Sequence, residues 1–231
     1  MISLYSIATD PSTLAVRTNV SDVVEYAPTY QARPGMKMPI IIFRNDKPEI
    51  VMATWGLRSN TSFNTIHTSR ILKTRPWNLL IRRQRCAIPA NCFIVNKTST
   101  PHLIRLPQHR LFMMGGMYHV KNDEIYFTLL LTEAADIIAS IAEEMPVIFH
   151  NDRVHKWLTT EDLGSIMRYA DKAGNNWFDY FKVDPEVLNS RENNRELLTP
   201  LGMSRGQVKQ REQQVAAMSF EKERMNRRGN K

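Results

Sequence analysis

The apolar residues of this chain come in short runs punctuated by turn chemistry, and that pattern restricts the folds open to it. Seven runs, Ile2 to Ala8, Pro39 to Phe43, Ile50 to Trp55, Ala87 to Val95, Leu103 to Leu106, Leu111 to Met117 and Ile125 to Leu131, have the length and composition of β-strands. Asn45-Asp46-Lys47-Pro48 and Lys121-Asn122-Asp123 supply turn residues between successive runs. The reading is an antiparallel, mostly β body.

Helical signals are fewer. Thr132 is a candidate cap for a helix over Glu133 to Glu144, which has an acidic first turn and apolar positions at Ala135, Ile138 and Ile141. A second helix is predicted over Glu161 to Ala170 behind Thr160, and a third between His67 and Arg83, where Pro76 must break or restart it. No internal repeat is visible, which removes solenoids and propellers.

A length of 231 residues suits one domain, or one domain with an extension. No apolar run approaches the roughly 20 residues that span a bilayer, and Asp10 interrupts the N-terminus too early for a secretory signal. The expectation is a cytoplasmic protein without a membrane partner. Cys86 and Cys92 are too few for a disulfide framework and too far apart for a usual zinc pair, so both read as reduced, buried thiols. His150 and His155 have no third partner nearby, and neither a metal nor a cofactor is expected.

The net charge of +8 is unevenly placed. From Ser204 onward there are eight basic and three acidic residues, so this tail holds five of the eight charges. The rest of the chain is only mildly basic. Residues 1–203 are expected to form the domain, and residues 204–231 a basic tail, helical or disordered, open to a protein partner.

Five islands give the chain a more specific character: Tyr26-Ala27-Pro28-Thr29, Trp55-Gly56-Leu57, Arg85-Cys86-Ala87-Ile88-Pro89-Ala90, Gly115-Gly116-Met117-Tyr118 and Met145-Pro146-Val147-Ile148. In order and spacing they resemble the SOS response-associated peptidase family, also called abasic site processing proteins. Trp157-Leu158 and the stretch from Val183 to Asn189 extend the resemblance towards residue 200. It implies an α+β fold with a mainly antiparallel, barrel-like sheet and a few flanking helices.

The same resemblance implies a chemistry whose groups are replaced in this chain. Family members expose a cysteine after removal of Met1, and its amine and thiolate attack the aldehyde of an abasic sugar. Here that position is Ile2, and a bulky second residue should leave Met1 attached. The family's asparagine falls on His67, its glutamate on Val95 and its histidine on Ala142, while an arginine of the histidine segment becomes Glu144. Valine cannot transfer a proton. The resemblance therefore implies a family member with no intact catalytic set.

Arginines and aromatic rings grip single-stranded DNA in the family, since cations neutralise phosphates and flat rings receive bases. Arg58, Phe63, Arg70, Arg82, Arg83 and Arg85 are the corresponding candidates, although the usual Pro-x-Trp wedge after Trp-Gly-Leu is missing and an N-terminal arginine has become Leu4. Three functions follow as expectations. The first is binding of single-stranded or abasic DNA without cysteine-based crosslinking. The others are an interaction protein that reuses the fold, and an enzyme with rearranged chemistry, such as an amine-only Schiff base at Met1.

Overall fold

The computed structural model describes residues 2–203, except 57–63, 72, 74, 76, 98–99, 150, 171–173 and 175–177, together with residues 206, 207, 210 and 213. All seven predicted strands form. They are β1 (Ile2–Ile7), β3 (Lys37–Arg44), β4 (Lys47–Trp55), β8 (His102–Arg105), β9 (Phe112–Lys121), β10 (Glu124–Glu133), and the run from Ala87, which Asn91 divides into β6 (Arg85–Ala90) and β7 (Cys92–Val95). Shorter strands complete the sheets: β2 (Thr29–Ala32), β5 (Thr65–His67), β11 (Glu144–Pro146), β12 (Ile148–Phe149) and β13 (Asp179–Lys182).

Both predicted turns are two-residue hairpins. Asn45 and Asp46 have φ of 54° and 61°, and Asn122 and Asp123 have 52° and 60°. Two successive left-handed residues match the right-handed twist of the flanking strands, and Asn and Asp tolerate that conformation best after glycine. The turns set the β3–β4 register with Arg44 opposite Lys47, and the β9–β10 register with Lys121 opposite Glu124.

Pairing continues from β10 to β4, β3, β6, β9 and back to β10, closing a ring of five strands within an eight-stranded sheet. Its contacts are antiparallel except where β10 meets β4 and β5. A second sheet, ordered β13-β8-β7-β1-β2, packs against the ring. Tyr5 meets Trp55 with ring centres 5.2 Å apart, and Phe93 meets Phe112 edge-on at 6.4 Å. Closure removes exposed strand edges, and the rings bury large apolar area between the sheets.

Helices occupy the joints. Asp10 caps α1 (Pro11–Thr18) by accepting from the Thr13 amide, and Pro11 takes the first turn, where its missing N–H costs nothing. The segment before Arg83 forms α2 (Thr68–Ile71) and α3 (Trp77–Arg83); Pro76 lies outside the described residues. α4 (Asn151–Thr159) and α5 (Leu163–Tyr169) follow, the latter capped by Asp162 and not by Thr160. The helix expected over Glu133 to Glu144 does not form. Glu133 ends β10, the Ala134 amide donates to the Glu143 carbonyl, and a single 3-10 turn at Asp136–Ile138 returns the chain to β11. Sheet pairing overrides the local helical pattern.

After β13, α6 (Glu186–Asn189) leads into a strap that crosses back over β2. Arg33 donates to the carbonyls of Val187, Leu188 and Ser190, Gln31 and Asn194 exchange hydrogen bonds, and Asn193 bonds both Tyr30 N–H and the Pro28 carbonyl.

Candidate functional site

β1 carries Ile2, and its register explains where that side chain goes. Leu4, Tyr5 and Ser6 face Ile94, Phe93 and Cys92 on β7, after which the register slips and Ile2 faces Val95. In an unbroken strand Ile2 would share the face of Leu4 and Ser6, because side chains alternate with period two. The bulge turns it to the other face. Ile2 thus joins the main buried cluster with Tyr5, Ile7 and Val95, while Leu4 packs in a separate cluster with Ile94 and Val183. Re-aiming one side chain is what a bulge does at the end of a strand.

The neighbourhood that Ile2 enters is apolar. Ile2, Val95 and Ala142 are 4%, 1% and 2% exposed and belong to one cluster. Val95 is the direct cross-strand partner of Ile2, and strand β11, just after Ala142, also packs near β1. Ile2 and Val95 therefore meet as hydrocarbon, and Ala142 belongs to the same buried core.

Titratable groups stand around this plug. His67 ends β5 beside Leu131 of β10, whose other neighbour is Pro146 of β11. Its Nδ1 accepts from the Ser69 amide at 3.2 Å and lies 2.8 Å from the Ser69 hydroxyl. An amide N–H donates and cannot accept, so Nδ1 is the acceptor in this contact. Glu143 pairs with Lys97, two residues beyond Val95, at 3.2 Å. Glu144 stands opposite Glu133 across β10 and β11, a like-charge pair that disfavours the approach of phosphate.

Neither cysteine substitutes for the missing thiol. Burial pushes the Cys86 thiol well up, and it pushes Cys92 up to about 12 although Ser6 and Arg105 act in the opposite direction. A thiol nucleophile must be an accessible thiolate. We expect Ellman's reagent at pH 8 to titrate neither thiol in the native chain and both after unfolding in guanidinium. Rapid reaction of a thiol in the native chain would contradict this assignment.

The proposed DNA contacts divide into three groups. Arg58 and Phe63 lie outside the described residues. Arg70 on α2 and Arg82 and Arg83 on α3 are exposed. Arg85 is corrected: it is 4% exposed, and its guanidinium donates to the carbonyls of Ile81, Arg82, Trp157, Leu158 and Thr160. Its donors serve the junction of α3 and α4, not a surface.

Two cations missed by motif reasoning, Lys73 and Arg75, are also exposed between α2 and α3. A signal for them existed in the charge pattern. No Asp or Glu occurs from Ile50 to Asn122, a stretch holding eleven Lys and Arg residues. Arg70, Lys73, Arg75, Arg82 and Arg83 make no ion pair with any described residue. A net charge summed over the whole domain conceals this local excess.

The model of the SOS response associated peptidase (SRAP) family matches residues 1–190. The chain belongs to this family. Abasic site processing protein YoaM of Bacillus subtilis is 24% identical over 197 residues, covering 75% of this chain and 86% of that protein. Abasic site processing protein YoqW of Bacillus phage SPbeta is likewise 24% identical over 197 residues, covering 75% and 87%. Among solved structures, the SRAP chain superposes on a protein from Bacteroides thetaiotaomicron with a TM-score of 0.75 at 18% identity, covering 85% of this chain and 98% of that one. A protein from Bordetella bronchiseptica gives 0.68 at 13% identity, with 79% and 99% covered. These likenesses establish the SRAP fold. Among the described residues of this SRAP chain no group of three or more His, Cys, Asp or Glu is placed to hold a metal, and no helix is long and apolar enough to cross a membrane.

Proposed function

We propose that this SRAP chain binds single-stranded DNA, abasic DNA included, without forming a cysteine-based crosslink. The observation that carries the reading is the bulge at the start of β1, which seats Ile2 against Val95, so that aliphatic carbon stands at the two positions where the family resemblance puts a thiolate and an acid. Two curated relatives are named as abasic site processing proteins, which supports a substrate of that class. Residues 1–203 act as the binding domain, and the basic tail adds long-range attraction for a polyanion.

The cations of α2 and α3 give this proposal its measurable form. Anisotropy of a labelled abasic single-stranded oligonucleotide should show binding that weakens with salt, with a logarithmic slope of about −0.7 for each phosphate neutralised. Converting Arg82 and Arg83 to glutamate should weaken binding at every sequence and make the slope shallower by about 1.4, as two phosphate contacts are lost. No binding at low salt would reject the proposal. An unchanged slope in the double variant would remove α3 from the interface.

A further inference from the structure

We propose that Leu79 on α3 is the residue with which this surface meets unpaired bases, so that it sets a preference for single strands over duplex. The inference rests on the DNA-binding proposal and adds to it a base contact that no cation supplies.

The sequence of α3 puts an apolar side chain where a surface helix calls for a polar one. At about 100° per residue, and with Trp77 set at zero, Ile81 falls at about 40° and Leu80 at about 300°. Trp77 and Ile81 are buried, and Leu80 packs against the same core. Leu79 falls at about 200°, on the far side of the helix, and is 57% exposed. Arg82 and Arg83, both exposed, fall at about 140° and 240°. The leucine is therefore the middle of the solvent face of α3, with an arginine position on either side.

Single exposed leucines are ordinary on protein surfaces, and two observations set this one apart. It interrupts the polar face of a helix whose apolar stripe is already complete, a break in local pattern of the kind expected at functional positions. Its flanking cations make no ion pair with any described residue, in a stretch from Ile50 to Asn122 that holds no Asp or Glu. A polyanion drawn to Arg82 and Arg83 is thereby brought onto Leu79.

What the leucine then touches depends on the strand. In a duplex the base faces are covered by their stacked neighbours. An unpaired strand can turn a base outward, so that its face lies on the leucine while the adjoining phosphates reach the two guanidiniums. That contact removes apolar surface from water and involves no charge, so it adds affinity without adding salt dependence. It uses the face of the base and not its edge, and is accordingly tolerant of sequence.

Anisotropy titrations of the full chain at one salt concentration test the assignment with three labelled ligands. These are oligothymidylate, its duplex with oligoadenylate, and a strand of equal length built from base-free tetrahydrofuran nucleotides. Leu79→Ala should weaken oligothymidylate by about 5-fold, the scale of a partly buried leucine contact, and leave the other two ligands unchanged. Leu79→Phe should tighten oligothymidylate by about 3-fold, again selectively, because a flat ring receives a base better. The salt slope should be the same in the parent and both variants, unlike that of the charge reversal at Arg82 and Arg83. Both variants should keep the parent melting temperature, as the position is exposed. The inference is overturned, with DNA binding intact, if oligothymidylate binds the parent and both variants equally, or if Leu79→Ala weakens all three ligands alike. Absence of oligothymidylate binding by the parent at low salt overturns both proposals.

Discussion

Arg85→Ala is expected to destabilise the protein by about 3–5 kcal/mol, the range seen when a buried charged partner is removed from its hydrogen-bonding groups. The side chain collects five carbonyls, from the end of α3 and from the end of α4 and the residues after it. Those groups are the acceptors that helix ends leave without partners, and the guanidinium fork reaches both ends at once. Arg85 also lies 5.7 Å from the Trp157 ring centre, and Trp157 in turn donates to the Cys86 carbonyl at 2.9 Å. Burial pulls the guanidinium down to about 10, with Glu161 acting the other way, so the group remains charged at neutral pH. Each carbonyl left buried and unpaired costs on the order of 1–3 kcal/mol, though water entering the truncated site will relieve part of the sum. Urea denaturation followed by circular dichroism measures the effect. Arg85→Lys should recover only a fraction, since one ammonium cannot span both helix ends. A loss below about 1 kcal/mol for alanine, the scale of an ordinary exposed substitution, would remove Arg85 from this structural role.

The second large effect is expected at Gly116. A Cβ built there overlaps the Ile88 Cδ1, lies 2.8 Å from the Thr128 carbonyl oxygen and lies 2.9 Å from the Cys86 sulfur. Ile88 can rotate, but Thr128 belongs to β10 within the closed ring and its carbonyl cannot retreat without moving the strand. Overpacking of this type costs roughly 1–3 kcal/mol, and the valine variant should exceed alanine. Gly115 provides the internal control. Its Cβ would meet only the side chains of Phe149 and Val147 at 3.1–3.2 Å, which can shift by tenths of an ångström. Chemical denaturation should therefore rank Gly116→Ala as clearly more damaging than Gly115→Ala. The reverse order would show that the β6–β9–β10 face has more slack than its packing indicates.

The strands were legible because alternation and turn chemistry are local. Asn45-Asp46 and Asn122-Asp123 place tight hairpins in the sequence, and the structure puts them in the left-handed conformation such hairpins need. The segment from Glu133 to Glu144 misled because Ala135, Ile138 and Ile141 repeat at helical spacing. The same residues serve as buried contacts of a short return between two paired strands. α1 was overlooked although Asp10-Pro11 carries a cap and a first-turn proline, a signal masked by the helix's short length. Motif comparison singled out Ile2, Val95 and Ala142. What it could not supply was the bulge that turns Ile2 into the main core, because register is decided by pairing with β7 and leaves no mark on β1 alone. Arg85 shows the complementary limit: its place in a basic cluster suggested phosphate contact, while burial depends on how α3 and α4 converge.

The central claim is that filling the reactive position with Ile2 and Val95 removes the covalent chemistry. It is tested by incubating the full chain with abasic single-stranded DNA, with and without borohydride, and resolving the products on a denaturing gel. We expect no crosslink without reductant. Trapping only in the presence of borohydride would identify a reversible imine at an amine. A stable crosslink formed without borohydride would contradict the account.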